Sequence, residues 1–130
     1  MFSYVCVGTN DLPRAVAFYD AVMEPLGHAR VDLDLEGGNA TWGLDDPGPH
    51  LWVTVPFDGG KARPGNGTMF SLLAASRGQV NTVYDAAIAQ GARCEGPPGL
   101  RPQYGPHFYA AYLRDPDGNK FNVVCYDAAG

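Results

Sequence analysis

Arg101, Tyr104, His107 and Tyr109 fall within nine consecutive residues, and each carries binding or acid–base chemistry. A guanidinium presents a planar fork to a carboxylate or phosphate. The tyrosine rings can stack on a flat ring or donate a hydroxyl proton, and an imidazole titrates near neutrality. The competing reading is a proline-stiffened loop whose aromatic rings pack on a sheet and whose arginine faces solvent. The other histidines, His28 and His50, lie far away with no Asp or Glu at ligand spacing, so the three do not make a zinc site. Cys6, Cys94 and Cys125 are an odd number in no CxxC pair. Cys6 and Cys125 sit in apolar runs and read as small buried hydrophobes in a reducing compartment. A thiol without a neighbouring base stays protonated, which argues against Cys6 as a nucleophile. Gly96-Pro97-Pro98-Gly99 lacks the spacing and the Lys-Ser/Thr end of a phosphate loop. Asp32, Asp34 and Glu36 lack calcium-loop spacing and read as a solvated strand edge.

The elements that must position these groups are short. Phe2 to Val7 reads as a strand. Asp11 caps a helix with Pro13 in its first turn, along which Leu12, Val16, Tyr19, Val22, Met23 and Leu26 recur at helical spacing. Val31, Leu33 and Leu35 alternate with acidic residues as a strand. Ala40 to Leu44 is a strand, Asp45 to Pro49 a turn, and Leu51 to Val55 another strand. Gly59 to Gly67 is a Gly/Pro-rich linker. Thr68 to Ala74 is a strand. Ser76 with Gln79 has the form of a capping box opening a helix that Gly91 ends. Ala92 to Glu95 is a short strand, and Gly96 to Pro106 a long loop with four prolines. Phe108 to Leu113 and Phe121 to Tyr126 are strands joined by Asp115-Pro116-Asp117-Gly118-Asn119, a strong hairpin signal.

Composition bounds the function. The 130 residues suit one ordinary domain, or two small halves sharing a core. Hydrophobic residues make up 45% and charged residues 18%, a globular balance. The net charge of -5 argues against a phosphate-backbone binder, so no nucleic-acid partner is expected. No apolar run approaches the ~18 residues of a membrane span, and no basic segment precedes an apolar stretch at the start. A protein without a membrane partner, in the cytoplasm, is the expectation.

Both halves run strand, helix, then three strands. Tyr19-Asp20-Ala21 returns as Tyr84-Asp85-Ala86, an offset of 65 residues and half the chain. The physical reading is an internal duplication, with modules 1–60 and 66–130 forming one domain around a common cleft.

Read this way, the chain resembles the superfamily of glyoxalases, bleomycin-resistance proteins and extradiol dioxygenases, the vicinal oxygen chelate fold. The resemblance rests on Thr9-Asn10-Asp11-Leu12 leading into Phe18-Tyr19, on the Arg101-Pro102 to Tyr109 loop, and on Asp115 to Lys120 before the last strand. It covers essentially the whole chain. It implies an α+β fold in which two βαβββ modules form a curved mixed sheet around a cleft, and a homodimer. Metalloenzymes of the superfamily carry His, Gln or Glu on the first and last strands of each module. Those positions fall here on Tyr4, Met69 and Asn122, with the fourth near Trp52 to Thr54. Tyr4 and Met69 are themselves 65 apart. A hard divalent metal wants imidazole and carboxylate donors, so no metal and no cofactor are expected. The resemblance also lays the Arg101 to Tyr109 stretch over one end of the cleft; if Tyr109 points inward, Ala111 and Leu113 share its face by strand alternation. It adds Tyr4, Cys6, Trp52, Met69 and Ser71 to an apolar lining with a few polar groups, the usual form of a small-molecule site.

Four functions remain open at this point. The first is a metal-free protein that binds a small organic molecule. The second is a metal-dependent lyase or dioxygenase of the same superfamily. The third is a metal-free enzyme using His107 with Tyr104 or Tyr109 as acid and base. The fourth is a structural or assembly role with a filled cleft.

Overall fold

The computed structural model describes residues 1–44 and 48–128. Part of the expected Asp45 to Pro49 turn therefore lies outside the described residues. The chain runs β1 (Tyr4–Gly8), α1 (Leu12–Met23), β2 (Ala29–Asp34), β3 (Asn39–Gly43), β4 (His50–Thr54), β5 (Phe70–Leu73), α2 (Arg77–Ala89), β6 (Arg93–Leu100), β7 (Tyr109–Arg114) and β8 (Lys120–Cys125). The βαβββ order thus occurs twice. The first sheet is ordered β1-β4-β3-β2 and the second β5-β8-β7-β6. In each, the strand before the helix pairs in parallel with the last strand of its half. The other neighbours are antiparallel.

Local chemistry explains the helices. The Asp11 carboxylate accepts from Arg14 N at 3.1 Å, satisfying an amide that has no partner in the first turn. Leu12, Ala15, Phe18, Tyr19, Val22 and Met23 form the buried stripe of α1. A 3-10 turn (Glu24–Leu26) and Gly27, at φ 82°, end it. Ser76 caps α2 by accepting from Gln79 N, and Gln79 Oε1 accepts in return from Ala75 N at 2.7 Å. Val80, Val83 and Ala87 are its buried face.

Helix α1 belongs to both halves. It packs on α2 and on β3, while Phe18 meets Phe121 of β8 edge to face at 6.0 Å. One core cluster collects Trp42, Leu51 and Val53 of the first sheet with Leu113, Phe121 and Val123 of the second. Both sheets turn their helix-side faces into this shared interior. Their opposite faces, called outer here, point away from the two helices.

The turn between β7 and β8 locks the halves together. Tyr19 donates its hydroxyl to Asp115 Oδ2 at 2.6 Å, and Asn119 Nδ2 donates to Gly8 O at 2.8 Å. Asp117 accepts from the Thr9 hydroxyl at 2.5 Å, and from Asn10 N and Arg14 Nη2 at 2.9 Å. Burial pushes the Asp115 carboxyl above its ordinary range, against the opposing hydrogen bonds from Tyr19 and Asn119. Burial, with the charge of Asp115, also raises the Tyr19 hydroxyl well above its usual value, so it stays a donor.

The short strand expected over Ala92 to Glu95 is longer in the structure. β6 continues through Gly96-Pro97-Pro98-Gly99 to Leu100, residues expected to form a loop. It is an edge strand with β7 as its sheet neighbour, so prolines can turn their missing donors outward. Two register shifts, around Cys94/Gly96 and Gly96/Gly99, absorb the irregularity. Among the described residues no helix is long and apolar enough to cross a membrane.

Candidate functional site: the outer faces of the two sheets

Strand alternation decides which groups can meet a ligand. On the first sheet the register pairs Tyr4 with His50, Cys6 with Trp52 and Gly8 with Thr54, while Leu51 and Val53 face the core. Tyr4 and Trp52 lie with ring centroids 5.1 Å apart. With Cys6, Asn39 and Thr54 they line a depression of about 460 Å³. Cys6 stands exposed there, which corrects the expectation of a buried thiol; Cys125 is buried as expected. The alternation within β1 places Cys6 opposite in facing to Val5 and Val7. Tyr4 is half exposed. The indole N–H of Trp52 is buried with no hydrogen-bond partner.

On the second sheet Ser71 pairs with Asn122, and Asn122 pairs in turn with Tyr112 of β7. Asn122 is 2% exposed, and its Oδ1 has no partner. A buried polar atom left unpaired costs about 1–3 kcal/mol. Ser71 lies 65 residues after Cys6, so the pairing makes Asn122 the counterpart of Trp52 in the duplicated unit. Trp52 lies in the Trp52 to Thr54 span expected for the fourth position. The buried unpartnered groups therefore include a donor on one sheet and an acceptor at the matching place on the other. Met69, just before β5, is 43% exposed.

The stretch from Arg101 to Tyr109 divides. Arg101 folds back along β6, donating to Gly99 O and Pro97 O at 2.8 Å each. Its guanidinium lies 5.5 Å from the centre of the Tyr112 ring, a residue the sequence reading did not single out. The signal was available: Tyr112 shares the alternation of Asn122 through their pairing. Tyr104 is 65% exposed and its ring meets Phe108, which in turn meets Tyr126. His107 is exposed in the same loop. Tyr109 does not point to the outer face. Its hydroxyl donates to Asn81 of α2 at 2.7 Å, and Arg77 lies over its ring. Tyr109, Ala111 and Leu113 do share a face as alternation requires, but that face is the helix side, because it is paired with Phe121, Val123 and Cys125 of the core.

A larger cavity of about 680 Å³ opens elsewhere, where the β1 edge approaches β5. Val5, Leu26, Trp42, Leu51, Phe70 and Leu72 line it from the helix side, and His50, Ser71 and Leu73 reach it from the opposite alternation, so it is a mostly apolar crevice at the sheet edges. Trp42, unlike Trp52, has its indole N–H satisfied by Asp20 at 2.9 Å.

The positions at which the resemblance expects metal ligands carry a phenol, an indole, a thioether and an amide. These do not fit a hard divalent cation, which is held by imidazole nitrogen and carboxylate oxygen. Tyr4 is moreover engaged with the Trp52 ring. Among the described residues no three of His, Cys, Asp and Glu come together in a ligand group.

Comparison with known proteins agrees with the architecture. A family model described as Glyoxalase/Bleomycin resistance protein/Dioxygenase superfamily matches residues 2–123. The crystal structure of a glyoxalase/bleomycin resistance protein from Albidiferax ferrireducens is 37% identical, with a TM-score of 0.84 over 98% of this chain and 99% of that one. A glyoxalase-related enzyme from Fulvimarina pelagi shares the fold at 20% identity and a TM-score of 0.74, over 96% of this chain and 87% of that one. A lactoylglutathione lyase from Agrobacterium tumefaciens does so at 22% and 0.67, over 96% and 92%. No curated protein matches the chain.

Proposed function

We propose, since the chain belongs to the glyoxalase/bleomycin resistance protein/dioxygenase superfamily, that it binds a small organic molecule between outer sheet faces and needs no metal to do so. One observation carries the reading. Trp52 Nε1 and Asn122 Oδ1, at matching places in the two halves, are buried and unpartnered. A ligand that accepts from one and donates to the other removes both penalties. The Tyr4–Trp52 pair supplies an aromatic wall, and the phenol, indole, thioether and amide leave no site for hard-cation chemistry.

Within one chain the depression on the outer face of the first sheet is lined by residues of the first half. A second copy is the natural cover. A two-fold pairing sets the first sheet of one protomer against the second sheet of the other and closes two equivalent sites. The exposed apolar side chains Tyr4, Met69 and Leu73, at 50%, 43% and 68%, then lose water. Sedimentation analysis is expected to give a dimer; a monomer at high micromolar concentration would remove this part of the reading.

The exposed Tyr104 and His107 give weaker support to acid–base catalysis than to recognition, because a general acid must reach its substrate in the site. A second reading places the ligand in the apolar crevice, whose 680 Å³ is within the range of small-molecule sites. Nitrogen–proton correlation spectra separate the two. With a set of aromatic fragments, the Trp52 indole and Asn122 amide signals are expected to shift together while the Trp42 indole stays still. The effect should survive a chelator. Shifts confined to Leu26, Phe70 and Leu72 would assign the crevice instead, and a stoichiometric zinc would overturn metal independence.

A further inference from the structure

We propose that the outer face of the second sheet, where Arg101 and Lys120 flank Tyr112, holds the acidic group of a flat-ringed ligand, a carboxylate or a phosphate, on the Arg101 guanidinium. This rests on the reading that ligands lie on the outer faces and names their chemical class.

Tyr112 is the centre of the argument. The Arg101 guanidinium lies 5.5 Å from the centre of its ring, and Lys120 Nζ lies 5.8 Å from it. Each cation gains from the ring's quadrupole, but the ring neutralises neither charge. The ion pairs among the described residues are Arg14–Asp117, Arg30–Asp20 and Arg114–Glu95, so neither Arg101 nor Lys120 has a carboxylate within 4.0 Å. Arg93 and Arg114 stand opposite each other on the same side of the sheet, in register with Lys120. Four cations thus share this face with Glu95, which the 2.6 Å bond from Arg114 already engages. That bond first, then the charges of Arg114, Arg93 and Lys120, hold the Glu95 carboxyl below its ordinary range.

The guanidinium is also placed rather than loose. Gly99 O and Pro97 O take two of its N–H donors at 2.8 Å, and the remaining donors are free for a ligand. A Cβ on Gly96 would stand 3.1 Å from Nη2, and one on Gly99 would stand 3.1 Å from Nη1. The two glycines of β6 keep the strand bare where the guanidinium lies. Asn122, across the ladder from Tyr112, turns an unpartnered acceptor into the same region. An oxyanion on the free donors of Arg101 meets that charge within the positive field to which Lys120 adds, its ring adjoins Tyr112, and an O–H or N–H on the ligand reaches Asn122.

Benzoate, phenyl phosphate and the neutral benzamide test this by calorimetric titration at low salt, with the correlation spectra locating each probe. One of the two anions is expected to bind at least tenfold more tightly than benzamide, and which one decides between carboxylate and phosphate. Arg101→Gln should weaken the preferred anion at least tenfold, Lys120→Met should weaken it in the same sense by less, and both should leave benzamide unchanged. Gly99→Ala keeps every charge but crowds Nη1, and should weaken the anion in the same sense. Thermal midpoints confirm that each variant folds. Benzamide binding as tightly as both anions, with Trp52 and Asn122 shifting, would overturn the anion site and leave the outer-face reading standing. No outer-face shift from any probe would overturn both. Loss of the dimer in Lys120→Met with anion affinity intact would show that a partner's carboxylate meets these cations, and would also overturn the proposal.

Discussion

Replacing Tyr19 by Phe tests the lock between the halves. The change removes one oxygen and leaves the ring in place. That ring is fully buried, 4.8 Å from Phe18 and 5.6 Å from Trp42, so packing is preserved. What goes is a 2.6 Å hydrogen bond between a buried hydroxyl and the Asp115 carboxylate, spanning 96 residues of sequence. Asp115 keeps the backbone donors of Asp117 and Asn119 and the Asn119 side chain. A bond to a charged acceptor contributes about 1.5–3 kcal/mol, so a loss of about 2 kcal/mol is expected. With an unfolding entropy of roughly 2.1 cal/mol/K per residue, a chain of this length should lose about 7 °C in Tm. Urea unfolding at one fixed protein concentration is the assay, because a dimer's midpoint moves with concentration.

The pH dependence separates a hydrogen bond from lost packing. Burial raises the folded Asp115 pKa above its ordinary 3.8, so its titration lowers stability as pH rises through the folded value. The Tyr19 bond opposes that rise by favouring the ionised form. Without it, Asp115 titrates higher still. The deficit of Tyr19→Phe should therefore be smallest in acid below pH 3.8 and grow as pH rises through the raised folded value. A deficit independent of pH, or one below about 0.5 kcal/mol at neutral pH, would refute the assignment of the lock to a charged hydrogen bond.

Asp117→Ala strips the acceptor shared by Thr9, Asn10 and Arg14, and should cost about 2–3 kcal/mol by chemical denaturation. Asp117 is 3% exposed, so a loss under about 0.5 kcal/mol would mean that water replaces it at no cost. Ser76→Ala removes the cap of α2 and should lower stability by about 1 kcal/mol, with hydrogen exchange speeding first at Gln79. Tyr109→Phe should leave binding of any outer-face ligand unchanged, because the hydroxyl serves Asn81 on the helix side; a tenfold loss of affinity would contradict the facing of β7.

Much of the architecture was legible because it is written in local physics. The caps Asp11 and Ser76, the helical stripes, and the Asp-Pro-Asp-Gly-Asn turn each act within a few residues. The 65-residue offset announced the duplication. The extent of β6 was not legible. Two adjacent prolines read as loop until the fold makes their strand an edge. Facing was also beyond the sequence. Alternation says that Tyr109 and Ala111 look the same way, but not which way, because that depends on which side the helices cover. Tertiary structure alone placed Tyr109 against α2, turned Cys6 outward, and set Arg101 on Tyr112. The shared helix layer follows from burial across both halves: a module this small cannot bury α1 alone, so Phe18 and Tyr19 find their second wall on β8. That packing turns the outer faces away from the helix layer, and with them the unpaired polar atoms of Trp52 and Asn122.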